Sequence, residues 1–383
     1  MKNLNQSIVC SLVVAAAFVA NGDVVMPNTS TIADIQSAID NAQPGEVITL
    51  ADGMYAFNQT LYVTNGVTLT GSHRDACILA GDAGTPLETA LIINNADACV
   101  KALTISGITT KTAWNYTGVG VQIKAGLLTQ ARVTGCKSLA ANYTANRTAG
   151  VSLEGTAAVM THCMIDHNEG AAGSNIGGVR IQGGGGTMAN CIVWANIGVN
   201  AGGVSIRPDA WKPVKVVNCT IAGNAATTRG GGLANEADAK YLWSNINPNE
   251  FLGPEIVNTI ISGNDAPDGA DLYFGFSDEA SRNASHFNCL CPTESYGANP
   301  QTGDPLFKSP ESGDFHLRRG SPARSAGDAD KAASALGCDS LVGTLDFYGQ
   351  PRVKFVSRKG IPDIDIGAAE SKYSPIGLRI SFR

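Results

Sequence analysis

The fold is decided by three segments that share one pattern: AVMTHCMIDHNEG (158–170), TMANCIVWANIGV (187–199) and KVVNCTIAGNAAT (215–227). Each contains a cysteine followed five residues later by an asparagine, and Cys163, Cys191 and Cys219 lie 28 residues apart. Each segment is followed by a second short apolar run that opens with glycine. A fixed period of this length is typical of a solenoid, in which each repeat packs on its neighbours.

The repeated runs are short, rich in valine, isoleucine and threonine, and separated by glycine and asparagine, which favours strands over helices. Strands one coil apart would pair in parallel at about 4.8 Å, so equivalent residues would stack. The predicted inward files are Cys136, Cys163, Cys191, Cys219 and Thr259, and beside them Ile165, Val193, Ile221 and Ile261. The asparagines Asn168, Asn196, Asn224 and Asn264 would stack at a turn and hydrogen-bond one another. The predicted fold is therefore an all-β parallel β-helix.

The N-terminal part predicts a leader and a capping helix. Residues 1–22 contain Lys2 and then a short apolar run, a pattern typical of a secretory signal peptide cleaved before Asp23. The alternative is a buried or uncleaved anchor helix. Residues 31–42 have apolar side chains at helical spacing after Ser30 or Thr31 as N-cap, and this helix is expected to cap the open end of the solenoid.

The C-terminal region carries the segments GDPLFKSPESGDFHLRRGSPARSAGD (303–328), LDFYGQPRV (345–353) and PDIDIGAAE (362–370). Their order and spacing resemble the choice-of-anchor Q domain family of secreted bacterial proteins, and the chain as a whole resembles the right-handed parallel β-helix of the pectate-lyase type. The resemblance implies a secreted or cell-surface bacterial protein and no particular reaction. The resulting organisation is a signal peptide (1–22), a β-helix with its N-terminal cap (23–290) and a C-terminal region (291–383) that completes or caps the helix.

Charge and composition limit the partners. The net charge of −6 and the pI of about 5.4 argue against a nucleic-acid partner, which needs a basic surface. No apolar stretch after the leader is long enough to span a membrane. We expect a monomer whose partner is an extracellular polysaccharide.

Two outward files on the second strand of each coil are the candidate binding face. They are Gln122, Ser152, Arg180, Ser205 and Ala234, and then Lys124, Glu154, Gln182, Arg207 and Glu236. An extended polar face suits a polysaccharide, and its cations could clamp uronate carboxylates. Arg180, Arg207 and Lys212 are candidate catalytic cations, and Lys124 and Gln182 are candidate binding residues. The competing interpretation is a solvated face with Lys124–Glu154 and Arg207–Glu236 ion pairs.

Other candidates lie at turns and insertions. His167 beside Asp166 could act as a catalytic base, or be an exposed turn residue. Asp209, Trp211, Tyr241 and Trp243 could bind sugar rings, or the aromatic residues among them could pack a loop onto the helix.

No metal site is predicted, and no cofactor is expected. The acidic spacing of Asp265, Asp268 and Asp271 could hold Ca²⁺, but Pro-Asp-Gly is itself a turn signal. The stacked cysteines are interpreted as buried core residues rather than zinc ligands. Cys289, Cys291 and Cys338 are expected outside the cysteine file and oxidised, and with Cys77 and Cys99 they leave the disulfide pairing open.

Three functions remain open from the sequence. The first is a secreted or surface β-helix that binds polysaccharide. The second is a polysaccharide lyase or glycoside hydrolase acting on uronate glycans, with the lyase favoured. The third is an adhesin or structural surface protein. Fold alone does not separate them.

Overall fold

The computed structural model describes residues 22–82, 86–110, 118–139, 147–171, 173, 175–207, 214–236, 254–275, 285–293, 295–355 and 362–371. Over these residues the chain winds as an all-β parallel solenoid, as predicted. One sheet contributes a single strand per coil and has eight strands, which corresponds to about eight coils.

The largest sheet, sheet A, is parallel and has two limbs. Its sixteen described strands are β1 (Val24–Met26), β2 (Val47–Leu50), β4 (Leu61–Val63), β5 (Thr68–Gly71), β7 (Leu91–Lys101), β10 (Val121–Thr129), β13 (Val151–Leu153), β14 (Ala158–Thr161), β17 (Val179–Ile181), β18 (Gly186–Ala189), β21 (Val204–Ile206), β22 (Val214–Val217), β25 (Leu233–Asn235), β26 (Glu255–Val257), β28 (Leu272–Phe274) and β29 (His286–Phe287). Strand β10 pairs with β13 through its first half and with β14 through its second half. Each later coil therefore places one strand in each limb.

Two further parallel sheets complete the coils. Sheet B consists of β3 (Gly53–Phe57), β6 (Cys77–Gly81), β8 (Thr104–Ser106), β11 (Arg132–Thr134), β15 (Met164–Asp166), β19 (Ile192–Trp194), β23 (Thr220–Ala222) and β27 (Ile260–Ser262). Sheet C consists of β9 (Thr109–Thr110), β12 (Lys137–Ser138), β16 (Glu169–Gly170), β20 (Ile197–Gly198) and β24 (Ala225–Ala226). A coil therefore runs from sheet A through sheet B to sheet C.

The predicted isoleucine file is confirmed: Ile165, Val193, Ile221 and Ile261 are paired in register and buried. Neighbouring members of the cysteine file are hydrogen-bonded. The backbone N–H of Cys163 donates to Cys191 Sγ at 3.5 Å, and the backbone N–H of Cys219 donates to Thr259 Oγ1 at 3.4 Å.

The placement of two other cysteines was wrong. Cys136 lies opposite Asn168, because Thr134 pairs with Asp166. Its separation of 27 residues from Cys163 only resembles the repeat period, since the connection before β13 is longer. Cys289 belongs to the file instead of lying outside it, since Val257 pairs with Phe287 and so sets Thr259 opposite Cys289. Cys289 is a free thiol, so its expected oxidation is also wrong.

The predicted asparagine ladder is confirmed by hydrogen bonds along the stack. Asn168 Nδ2 donates to Asn196 Oδ1 at 2.9 Å, Asn196 Nδ2 to Asn224 Oδ1 at 2.9 Å, and Asn224 Nδ2 to Asn264 Oδ1 at 3.0 Å. The same oxygens accept from the backbone N–H groups of the preceding coil. The buried turn therefore has its polar groups paired.

The N-terminal helix α1 (Ile32–Asn41) has Thr31 as its N-cap, as predicted, and the Thr31 side chain forms a capping box with Asp34. Its buried residues Ile32, Ile35 and Ile39 join the core of the first coils, which explains the apolar spacing. No helix among the described residues is long and apolar enough to cross a membrane.

The C-terminal segment, described over residues 303–355 and 362–371, forms a layer on the outer side of sheets A and B. It contains the antiparallel pair β30 (Phe307–Ser309) and β31 (Asp314–Leu317), the 3₁₀ helix Pro310–Ser312, helix α2 (Ala329–Leu336) and the antiparallel pair β32 (Lys354–Phe355) and β33 (Pro362–Asp363). Phe315 and Ile366 pack with Ile192 of sheet B, and Leu336 packs with Val217 of sheet A. We call this segment the C-terminal layer.

A buried polar network explains the unusual residues of this layer. The fully buried Arg352 donates to the carbonyls of Asp365 and Gly367 at 3.1 and 2.6 Å, and its Nη1 lies 3.3 Å from Glu370 Oε1. Asp346 accepts from the N–H of Tyr348, and its other oxygen accepts from the N–H of Glu370. The conspicuous Asp, Arg and Glu residues of the layer therefore have a structural role.

Candidate functional site

The first predicted outward file is in register but is not an exposed face. Gln122, Ser152, Arg180 and Ser205 pair successively across β10, β13, β17 and β21. Their side chains are nonetheless buried, with Arg180 only 1% exposed. The expectation of an open polar face at these positions is therefore wrong. Side chains along a strand point alternately toward the core and away from it, so the sequence predicts which way each one points. It does not show which other parts of the chain cover the outer face.

The second file is partly engaged in internal contacts. Glu154 accepts from Gln122 Nε2 at 2.8 Å and from Gln182 Nε2 at 2.9 Å, and no Lys124–Glu154 ion pair forms among the described residues. The Arg207–Glu236 pair is confirmed at 3.3 Å, and Arg229 also contacts Glu236 at 2.6 Å.

Several candidate residues lie outside the described part of the chain: Asp209, Trp211, Lys212, Tyr241 and Trp243. They stay predictions.

Asp166 and His167 form a closely coupled pair at the end of β15. The fully buried Asp166 receives two bonds from Arg132, at 2.8 and 2.7 Å, and a third from Thr134 Oγ1 at 2.9 Å. His167 Nδ1 lies 2.7 Å from Asp166 Oδ2, while about half of the imidazole side chain, 54%, is exposed. The bond to Asp166 raises the pKa of the Arg132 guanidinium. A carboxylate fixed in this way orients the histidine ring and leaves Nε2 as the nitrogen that could transfer a proton.

Next to this pair lies a groove of about 480 Å³ between sheet B and the C-terminal layer. Its residues are Trp194, Ala195, Ala222, Gly223, Ser262 and Gly263 from the solenoid, and Asp304, Pro305, Leu306, Phe307, Pro310, Glu311, Phe315 and Arg318 from the layer. We call it the turn groove. Trp194 joins it to His167, because the two ring centroids are 4.7 Å apart.

The floor of the turn groove is open because one turn position carries small residues. Ala195, Gly223 and Gly263 precede the ladder asparagines and have φ values of 53°, 62° and 68°. This left-handed conformation favours glycine, and a Cβ built on Gly223 or Gly263 would meet nothing within 4 Å. His167 occupies the same position one coil earlier, with φ of 54°. The recurrence of small residues before the asparagines was the sequence signal for this site.

The calcium candidates do not come together. Asp265 and Asp268 are exposed, whereas Asp271 is buried and accepts from the N–H and Nδ2 of Asn264 at 2.9 and 3.0 Å. Burial raises the pKa of Asp271. Asp271 thus extends the asparagine ladder, and no group of three or more metal-binding side chains occurs in the described ranges.

The buried thiols are unreactive. Burial raises the pKa values of the Cys77, Cys136 and Cys289 thiols to about 12. Since the thiolate is the nucleophile and the metal ligand, these cysteines act as core residues.

No protein-family model and no curated protein matches the chain. Solved structures with a similar fold include a pectin methylesterase in complex with a hexasaccharide, at 15% identity over 79% of this chain and 99% of that chain, with a TM-score of 0.35. A mannuronic-acid-specific polysaccharide family 6 lyase from human gut microbiota matches at 11% identity, 75% and 93% coverage, and a TM-score of 0.28. The A-module of a mannuronan C-5 epimerase from Azotobacter vinelandii gives 14% identity, 75% and 96% coverage, and a TM-score of 0.27. These neighbours share the parallel β-helix fold with this chain.

Proposed function

We propose that the turn groove binds a segment of extracellular polysaccharide. The observation that carries this proposal is the groove itself, whose floor of small residues lies beside Trp194 and the polar side chains of the C-terminal layer. Sugar rings bind to surfaces of this kind, with apolar faces on aromatic rings and hydroxyls on convergent polar groups.

We further propose that the protein is secreted or displayed on the surface of a bacterium. Two features of the sequence support this: the leader pattern of residues 1–22 and the resemblance of residues 303–370 to the choice-of-anchor Q domain family. In this organisation residues 23–290 form the β-helix, and residues 291–383 form the C-terminal region.

Obstructing the groove floor is expected to abolish glycan binding. Ala195→Gln would project a longer side chain into the groove, and His167 shows that the same turn position accepts an unbranched polar residue with nearly the same φ. On an array of soluble polysaccharides, we expect the variant to bind at least about tenfold more weakly than the wild-type protein.

The matched control is Ile197→Gln, which introduces the same side chain two residues further on, at an exposed position outside the groove lining. Equal losses in the two variants would contradict the placement of the site. Absence of glycan binding by the wild-type protein, together with binding of a protein ligand, would favour the adhesin hypothesis instead.

A second candidate, an enzyme, is favoured by the geometry at His167. An imidazole whose Nδ1 is held by a fixed carboxylate can transfer a proton through Nε2. In a lyase reaction this nitrogen would take the C5 proton of a uronate, the C4=C5 double bond would form as the C4–O bond breaks, and the imidazolium would return its proton to the leaving oxygen.

Under this second candidate, His167→Gln is expected to lower turnover by about 10²–10⁴-fold while glycan binding is retained. Unsaturated uronate product is followed by ultraviolet absorbance, and hydrolysis of neutral glycans by new reducing ends. Unchanged turnover in the variant would exclude His167 as the proton-transfer residue.

A further inference from the structure

We propose that the turn groove selects neutral glycans over polyuronates. This inference rests on the proposed function, since it names the class of polysaccharide that the same site would take. It also differs from the expectation, drawn from the sequence alone, that cations on the helix clamp uronate carboxylates.

The charged side chains that line the groove are two carboxylates and one guanidinium: Asp304, Glu311 and Arg318. Asp304 and Glu311 are exposed and form no ion pair among the described residues. With all three ionised, the lining carries a formal charge of −1. A uronate would add a further negative charge for each bound sugar, in a recess where charges are screened less than on an open surface.

Two cations of the C-terminal layer at the groove have contacts within the layer. Arg318 donates to the carbonyl of Lys308, and Lys308 Nζ lies 2.9 Å from Asp314 Oδ2. Beside His167, the charge of Arg132 is neutralised by Asp166. The positive charge of Arg318 is opposed in the groove lining by the two carboxylates of Asp304 and Glu311, so the lining as a whole disfavours a polyuronate.

The two carboxylates are instead suited to sugar hydroxyls. Ionised carboxylates only accept hydrogen bonds, and a hydroxyl can donate one. Asp304 Oδ1 accepts from the N–H of Leu306 at 2.8 Å, which fixes the carboxylate at the groove and leaves Oδ2 to face a ligand. Glu311 lies in the 3₁₀ helix Pro310–Ser312, and its carboxylate accepts no hydrogen bond from the described residues. Hydrogen bonds to charged acceptors are the stronger kind, so two such acceptors would contribute most of the polar recognition.

The test measures the binding of soluble neutral polymers (mannan, β-glucan and galactan) and of polygalacturonate and alginate by calorimetry, at low and high salt. The wild-type protein is expected to bind at least one neutral polymer with little dependence on salt, and to bind the polyuronates at least about tenfold more weakly. The double variant Asp304→Asn with Glu311→Gln is expected to lose at least about tenfold in affinity for the neutral polymer. An asparagine at position 304 keeps the acceptor for the N–H of Leu306, so the local turn is preserved.

The control is Asp330→Asn with Asp339→Asn, which changes the net charge equally at two exposed positions away from the groove. It is expected to leave binding unchanged. Tighter binding of a polyuronate than of every neutral polymer, strengthened further in the Asp304/Glu311 variant, would overturn the inference while the proposed glycan-binding function stands. If the wild-type protein binds neither class, the proposed function itself fails, and this inference fails with it.

Discussion

Replacing Asn196 with alanine is expected to lower the free energy of unfolding by about 3–5 kcal/mol. Asn196 is fully buried and lies in the middle of the asparagine ladder. Its Nδ2 donates to the carbonyl of Ile165 and to Asn224 Oδ1, both at 2.9 Å. Its Oδ1 accepts from the N–H and from Nδ2 of Asn168, at 3.0 and 2.9 Å. The truncation removes four buried hydrogen bonds. Water cannot replace them, because the surrounding coils exclude it.

The measurement is equilibrium unfolding in guanidinium chloride, with Asn41→Ala as the matched control. Asn41 lies exposed near the end of helix α1, and its side chain bonds only within that helix. The control is expected to change stability by less than about 0.5 kcal/mol. Similar effects in the two variants would mean that the ladder contributes no more than an exposed side chain.

Raising the pH from about 4.5 to about 8 is expected to destabilise the wild-type protein through Glu370. Burial raises the pKa of this carboxyl to about 8, against the lowering effect of Arg352. In the unfolded chain the group titrates near 4.5, so between these values the folded state holds a proton that the unfolded state has lost. The contribution of Glu370 to stability is therefore complete below pH 4.5 and falls by up to about 1.4 kcal/mol per pH unit until pH 8.

The checking measurement is the free energy of unfolding across this pH range for the wild-type protein and for Glu370→Gln, which cannot titrate. The free energy of unfolding of the wild-type protein, relative to that of Glu370→Gln, should fall as the pH rises. The control Glu88→Gln, at an exposed position, should follow the wild-type curve. If the difference stays flat with pH, the Glu370 carboxylate is ionised in the folded protein and is held by its 3.3 Å contact with Arg352.

The repeat made the scaffold predictable from the sequence. The repeat period and the composition of the strands can be read from short stretches of sequence. Because equivalent residues of successive coils stack, these two features predicted the isoleucine file and the asparagine ladder correctly. Cys136 was misplaced because counting between identical residues cannot detect a longer connection. Ala131 occupies the position equivalent to Cys163 in that coil, while Cys136 takes the place of the ladder asparagine.

The candidate site was less predictable because it needs residues that are far apart in the sequence. Asp166 and His167 were found from their adjacency, but the bond from Arg132 follows only from the register between β11 and β15. Glu311 and Arg318 meet the solenoid only after the C-terminal layer folds back over sheet B, and no local pattern indicates where that layer lies. The burial of Arg180 was also not predictable, since the alternation along a strand cannot reveal what covers it.

The C-terminal layer also changes how the coils depend on one another. In a simple solenoid each coil touches its neighbours only, so the ends can fray independently of the middle. Here the layer places Phe347 at 5.8 Å from the Arg74 guanidinium, bonds Leu345 to His162, and bonds Ala368 to Thr220. Coils from the early to the late part of the chain are thereby joined by one segment that follows them in the sequence. Unwinding of any of these coils must disturb that segment, so the protein should lose its structure as one cooperative unit rather than coil by coil.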